Sequence, residues 1–561
     1  MKERRKLPEL RSNLEPGTTA WAVRRAQWKA LGLSDEDLLK PKIAVVNTSS
    51  ELSICFSHLD DISVIVKQAI REAGGVAFEV RTVAPSDFVT CAARAGRYIL
   101  PSRDLLVNDI EVSVEGPLLD GMVCLSSCDK TTPAHLMAAA RLNIPTVIVP
   151  CGYQGCGEFE GEPIDVEDVF ESAGMVSTGA IDIETMGGMC DAAITTPGVC
   201  AGMGTANSMH VMAEALGMAP PGSTPIAAIG PRMDALAADA GARIVRMIEQ
   251  DIRPLSILTP EAFANAMAVA LALSTSINVL RHLQAVAEEG AVDVNVYDLI
   301  DRLGPRVPVL CAVKPNGPKS IIDLENAGGT AAVLKQLESV LNTRAKTISG
   351  EPMADLLAVI PEVPVMPLAS LEAPVSPGPS LMILRGSLAP DGSIVKVGAA
   401  PARSDAFRGP ANVYESQEEA LDALSNGGIE AGQVVILRGL GSRGGPGVAS
   451  ASWFVAAMQG AGLGDKIAVV TDGQLSGLNR GFVVGQVMPE AARGGPLALV
   501  QTGDPIVIDL ASRRIDLAID GATFEARRAA LPDFEMTETK GWLGIYQRLV
   551  QPLARGGVLR P

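Results

Sequence analysis

Three cysteines sit in local sequences suited to chemistry rather than packing. Cys55 lies in Glu51-Leu-Ser-Ile-Cys-Phe-Ser-His58, and Cys128 in Ser126-Ser-Cys-Asp-Lys-Thr-Thr-Pro133. Cys200 lies in the glycine-rich run Thr196-Pro-Gly-Val-Cys-Ala-Gly-Met-Gly-Thr-Ala-Asn207. Cys128 and Cys200 both occupy turns that lead into expected helices. A helix N-terminus lowers a thiol's pKa and favours the thiolate that binds metal. Asp129 and Lys130 place a carboxylate and an amine directly beside Cys128. Asp87, in Ala84-Pro-Ser-Asp-Phe88, adds a second hard oxygen suited to Mg²⁺. Two further runs could do chemistry. Gly444-Gly-Pro-Gly447 could present backbone N–H groups to an anion. Thr471-Asp-Gly-Gln-Leu-Ser-Gly477 sets Ser476 in a loop straight after an expected strand, in a G-x-x-S-G pattern that is not a nucleophile elbow.

Each feature also has a plainer reading. Cysteine is often a small buried hydrophobe. Cys91, Cys124, Cys151, Cys156, Cys190 and Cys311 are expected in that role. Asp129 and Lys130 read equally as a surface ion pair near a helix start, and both glycine runs as tight turns. Cys124 and Cys128 are four apart, but no second close pair completes a structural zinc pattern. Four histidines, His58, His135, His210 and His282, are little material for a zinc site.

The elements that must position these residues alternate at first. Lys42–Asn47, Asp120–Leu125 and Thr146–Pro150 are short apolar runs of the kind found in buried parallel strands. Ser63–Gly74, Thr132–Leu142 and Ser208–Leu216 read as helices. Thr259-Pro260 reads as an N-cap followed by the first helical residue. Ala262–Leu280 is the most apolar helix candidate, yet Asn265, Ser274, Thr275, Ser276 and Asn278 interrupt it, so no transmembrane helix is expected. Prolines crowd 352–380, which reads as a linker. Beyond it, short strands are expected at Leu381–Arg385, Ile394–Val397, Gln433–Arg438, Lys466–Thr471, Pro505–Leu510 and Arg514–Ile519. The expected fold is α/β: an N-terminal α/β/α domain with a parallel sheet (1–351), the linker, and a C-terminal β-barrel-like domain flanked by helices (381–561). Ligands in open α/β sheets gather at the carboxyl ends of strands, where the cysteine turns fall.

Composition narrows the partners. A chain of 561 residues with a net charge of −17 is a poor match for nucleic acid or for an anionic membrane. Nine cysteines, an odd number, suit free or metal-bound thiols in a reducing compartment, expected to be the cytoplasm. The charged N-terminus leads into no apolar segment and does not read as a secretory signal.

Taken together, these segments resemble the IlvD/Edd dehydratases, the family of dihydroxy-acid, phosphogluconate and sugar-acid dehydratases. The resemblance rests on Cys128–Ala134 and Pro197–Met209, and on Arg306–Leu310, Leu384–Gly392, Gly444–Gly447, Thr471–Gly477 and Pro489–Pro496. It implies dehydration of a 2,3-dihydroxycarboxylate, a sugar acid or a branched dihydroxy acid, to a 2-oxo-3-deoxy acid. It implies an iron–sulfur cluster on Cys55, Cys128 and Cys200, [2Fe–2S] ahead of [4Fe–4S]. Three thiolates leave one iron position open to the leaving hydroxyl. It further implies Mg²⁺ on Asp87, Asp129 and a carbamylated Lys130, Ser476 as the base at C2, and a homodimer or homotetramer.

The chain departs from that pattern in places. Where the family carries a Mg²⁺-binding glutamate after the glycine turn, Gly447-Val-Ala-Ser-Ala-Ser-Trp453 has no acid, and Ser450 stands about there. Ser53-Ile54 replaces Asn-Pro before the first cysteine. Thr90–Gly96 replaces a Gly/His-rich stretch. A second reading is therefore a non-catalytic or repurposed paralogue acting as a binding or partner subunit. A zinc hydrolase is a distant third.

Overall fold

Lys42-Ile-Ala-Val-Val-Asn47 forms strand β1 (Lys42–Asn47), buried along its whole length. A run apolar on both faces suits a strand covered by helices on both sides. In the computed structural model, which describes residues 9–90, 96–177, 179–362, 365–397, 405–448, 451–475 and 481–561, β2 (Val76–Arg81), β3 (Gly121–Ser126) and β4 (Thr146–Pro150) join it. All pair in parallel in the order β2-β1-β3-β4. The helices Leu59–Glu72 and Pro231–Gln250 pack together over the sheet, so closely that a Cβ on Gly241 would stand 2.6 Å from the Val66 carbonyl oxygen. The helix Cys128–Leu142 packs on β3 and β4, between Ile99–Glu115 and Thr205–Ala215.

The strand order matters for function. From β1 the chain crosses to β2 on one side, and from β3 to β4 on the other. A crevice therefore opens between the carboxyl ends of β1 and β3, where doubly wound sheets collect ligands.

After a small hairpin, β5 (Gly157–Phe159) and β6 (Glu162–Ile164), the remaining strands form one sheet. These are β7 (Leu381–Leu384), β8 (Gly392–Lys396), β9 (Ala406–Tyr414), β10 (Val434–Leu437), β11 (Ala468–Thr471), β12 (Phe482–Met488), β13 (Pro505–Asp509) and β14 (Arg514–Leu517). Their order is β14-β13-β9-β10-β11-β12-β8-β7. The ends nearly meet: Arg385 N donates to Arg513 O at 3.0 Å, and Ile515 N to Arg385 O at 3.1 Å. The barrel-like domain foreseen in the sequence is thus present. Val395, Val434, Ile436, Val470, Ile506 and Ile515 are among the residues filling its own core. Burial of each such side chain stabilises by about 1.5–3 kcal/mol.

Several elements differ from expectation. The helix expected from Thr132 begins at Cys128, because Pro133 is accommodated inside it. The apolar stretch 262–280 is two helices, Pro260–Ala272 and Asn278–Glu289. Its interrupting polar residues are buried and engaged: Ser276 N donates to Ser208 Oγ at 3.0 Å, and Thr275 O accepts from Lys396 Nζ at 2.8 Å. Thr259 caps the first of these helices, as expected. The proline-rich stretch is held to the N-terminal part, with Ala369 N donating to Leu310 O and Val375 N to Val309 O, each at 2.9 Å. Among the described residues, no helix is long and apolar enough to cross a membrane.

Candidate active site

Cys55 lies on the loop after β1, and Cys128 is the first residue of the helix after β3. Their thiols meet in a hydrogen bond across the crevice. That bond, together with burial, holds the Cys128 thiol well above the ordinary thiol range. Burial, then the charges of Glu167, Asp129 and Cys128, raise Cys200 in the same direction. Such thiols ionise when a metal ion takes the place of the proton. The backbone holds the three loops together. Ser127 Oγ donates to Cys55 O at 2.5 Å, Gly198 N to Ile54 O at 3.4 Å, and Asn207 Nδ2 to Cys200 O at 2.8 Å. Cys128 adopts φ +64°, a left-handed conformation costly for a residue with a Cβ and commonest at functional turns.

Beside the thiols, Lys130 is fully buried and its Nζ donates to Asp87 Oδ2 at 2.6 Å. Burial, then the Asp87 charge, pushes Asp129 up to about 7. Asp87 Oδ1 is buried with no hydrogen-bond partner. Among the described residues, no three His, Cys, Asp or Glu side chains already close on one point as a ready ion site. The donor types still divide clearly. The thiols are soft ligands that could hold an iron–sulfur cluster, and the carboxylates are hard ligands that could hold Mg²⁺.

On the C-terminal side, the Gly444–Gly447 turn does bind an anion, but an internal one. Arg443 N and Gly444 N donate to Glu490 Oε2 at 3.0 and 3.3 Å. Val448 and Gln474 form a parallel bridge, with Gln474 N donating to Gly447 O at 3.1 Å. Arg281 secures both strands of this bridge, donating to Gly447 O at 2.6 Å and to Gln474 Oε1. His282, next to Arg281, is held well below the ordinary histidine range by burial, with the Arg103, Lys130 and Arg281 charges acting in the same direction. Ser476 and Ser450, each two positions past a bridged residue, lie outside the described residues, as does Cys91.

The other candidates are structural. All four histidines are buried, and His58 Nε2 bonds Cys151 O at 2.7 Å. Every described cysteine is a free thiol. Cys124, Cys151 and Cys311 are buried as expected, whereas Cys156 is half-buried and Cys190 is exposed on the helix Ile183–Ala192, which buries no residue. Sequence reasoning missed Glu167, Arg281 and Glu490, since charged side chains on helices and turns usually face water.

Comparison with known proteins agrees with this geometry. Residues 40–356 match the "Dihydroxy-acid/6-phosphogluconate dehydratase N-terminal" family, and residues 367–557 the corresponding C-terminal family. A protein of Methanothrix thermoacetophila named dihydroxy-acid dehydratase is 39% identical over 98% of this chain and 100% of its own length. One of the same name from Ignicoccus hospitalis is 39% identical over 96% of this chain and 98% of its own length. A third, from Aquifex aeolicus, is 36% identical over 96% of this chain and 97% of its own length.

Proposed function

The chain belongs to the dihydroxy-acid/6-phosphogluconate dehydratase family, and from that premise we propose that this hydro-lyase uses an iron–sulfur cluster and Mg²⁺ to convert a 2,3-dihydroxycarboxylate to its 2-oxo-3-deoxy acid. The relatives named dihydroxy-acid dehydratase, similar over nearly the whole chain, support a branched dihydroxy acid ahead of a sugar acid. One observation carries the reading. Thiols from three distant stretches, Cys55, Cys128 and Cys200, gather beside Asp87, Asp129 and Lys130 at the switch point of the sheet.

Cys55, Cys128 and Cys200 would hold the cluster, and Asp87, Asp129 and a carbamylated Lys130 the Mg²⁺. When bound, these groups supply Lewis acidity at the leaving 3-hydroxyl and at the substrate's carboxylate end. The chain supplies the rest. Lys130 as an ammonium serves Asp87; carbamylation would turn it into an oxygen donor of opposite charge. Ser476 would take the proton from C2, and its loop is anchored by Gln474 and Arg281. Cys55, Cys128 and Lys130 are buried, which strengthens the charge interactions they make.

A second reading, a partner subunit without turnover, is favoured by the absence of an acid in Gly447–Trp453. One experiment separates the two. Protein purified anaerobically is analysed for iron and sulfide, then offered 2,3-dihydroxyisovalerate, aldonates and phosphogluconate with Mg²⁺ while 2-oxo acids are trapped. Iron, sulfide and 2-oxo acid together are the expected result. Iron without turnover on any acid favours the partner subunit, and a protein that binds no iron overturns the dehydratase reading.

A further inference from the structure

One short segment touches all three cysteine turns. Past the carboxyl end of β4 the chain runs on as Cys151-Gly-Tyr-Gln154. Cys151 N donates to Ser126 O at 2.8 Å, beside the Cys128 turn. Cys151 O bonds His58 Nε2 at 2.7 Å, at the end of the loop that carries Cys55. Tyr153 pairs in parallel with Val199, the residue before Cys200. Val199 N donates to Gly152 O at 3.0 Å, and Gln154 N to Val199 O at 2.8 Å. The two stretches lie so close that a Cβ on Gly198 would stand 2.6 Å from Gln154 N.

Side chains of paired strands alternate between faces in step. Tyr153 and Val199 share one face, and the next pair in that register, Gln154 and Cys200, falls on the other. The segment's other side-chain donors are already used: Tyr153 donates its hydroxyl to Glu325, and Cys151 Sγ donates to Val149 O at 3.3 Å. Gln154 is different. It is 2% exposed, and its Nε2 is buried with no hydrogen-bond partner among the described residues. An N–H left unmade in a buried place is costly, and native proteins keep few of them without a use. Beside a cysteine turn, the acceptor that an amide N–H can meet is sulfur. A thiol accepts weakly, but an ionised thiolate accepts as a charged group does, more strongly than a neutral one.

We propose that Gln154 is a positioning residue for the iron–sulfur cluster: its side-chain N–H donates to the Cys200 thiolate and raises the cluster's reduction potential. This rests on the reading of Cys55, Cys128 and Cys200 given above. A hydrogen bond to sulfur stabilises the extra negative charge of the reduced cluster, so losing it lowers the potential. A neutral amide does this without adding an unpaired charge to a buried space. The test uses full-length protein purified anaerobically, with iron and sulfide measured first. Wild type and Gln154→Met, close in shape but without the N–H, are titrated reductively and followed by visible absorbance and electron paramagnetic resonance. Both are expected to carry the cluster. At a fixed potential, Gln154→Met should show at least a fivefold higher ratio of oxidised to reduced cluster, and its iron–thiolate stretches in resonance Raman spectra should move to higher frequency. Equal potentials in two loaded proteins reject the inference and leave the three-thiol reading standing. A wild type without iron or sulfide removes both. A raised KM for the dihydroxy acid at unchanged potential would assign the amide to the substrate and overturn the proposal. Should Gln154→Met take up no cluster, Gln154→His, which keeps an N–H at similar reach, is expected to restore uptake; failure to restore it rejects the idea.

Discussion

Arg281 Nη1 donates to the carbonyl oxygen of Gly447 across 2.6 Å, tying the helix Asn278–Glu289 to the glycine turn of the C-terminal part. The guanidinium is fully buried, bonds Asn278 Oδ1 at 3.2 Å as well as Gln474 Oε1, and is lowered to about 9 by burial. It therefore joins the half of the chain carrying the thiols to the loops that lead to Ser450 and Ser476. Arg281→Met leaves three buried acceptors without a charged donor, at a cost of about 1–3 kcal/mol each. The expected result is a lower melting temperature and at least a tenfold fall in kcat, with bound iron unchanged. Arg281→Lys should recover little, since an ammonium cannot reproduce the planar fork.

Substitution of the thiols tests the gathering seen at the crevice. Cys55→Ser, Cys128→Ser and Cys200→Ser are each expected to lose most bound iron and acid-labile sulfide. Cys311→Ser, in the core, and Cys190→Ser, on the surface, should keep both. Equal retention across all five would remove the three thiols from any metal role.

Ser476→Ala is expected to keep the iron and the visible absorbance but lose turnover by about 10²–10⁴-fold, the usual contribution of a positioned base. Single-turnover assays with substrate deuterated at C2 check the assignment. An unchanged rate would move the base role to another residue.

Much of this was legible in sequence, for reasons that differ by element. β1 and β4 were readable because both faces of each are buried, so the apolar run is uninterrupted. The three cysteine turns stood out because strand ends and helix starts are local signals. β9 was not readable: Arg408, Gly409 and Pro410 interrupt it, and its place is fixed by parallel pairing with β10 and antiparallel pairing with β13. The anion at the glycine turn is Glu490, and no local pattern links them. No local pattern marks Glu167, which is buried at the start of its helix while its neighbours Asp165 and Asp168 pair with Lys314. Long-range pairing of charges and strands is what a linear reading cannot supply.

The left-handed backbone at Cys128 makes a prediction that needs no cluster. At φ +64° a residue with a Cβ is strained by about 1–2 kcal/mol relative to glycine. In metal-free protein, Cys128→Gly is therefore expected to be more stable than Cys128→Ala by about that amount, read from urea midpoints. In an ordinary helix the order is reversed, because glycine costs about 1 kcal/mol there.

His135 gives a pH dependence with a definite sign. Its Nδ1 bonds Ser126 Oγ at 2.7 Å beneath the cysteine turn, and burial depresses it from 6.5 to about 3. Below pH 6.5 the unfolded chain takes up a proton that the folded protein refuses. Stability from this group is therefore lost as pH falls from about 6.5 towards about 3, at about 1.4 kcal/mol per pH unit. At pH 5 the loss is about 2 kcal/mol. His135→Asn removes the titration while also removing packing. Its destabilisation, measured by urea unfolding, should be about 2 kcal/mol smaller at pH 5 than at pH 7.5. The acids raised by burial, Asp129 and Glu167 among them, shift stability the opposite way, but they do so in wild type and variant alike and cancel in the comparison. A destabilisation that stays constant between the two pH values would mean that His135 is not held neutral in the folded core.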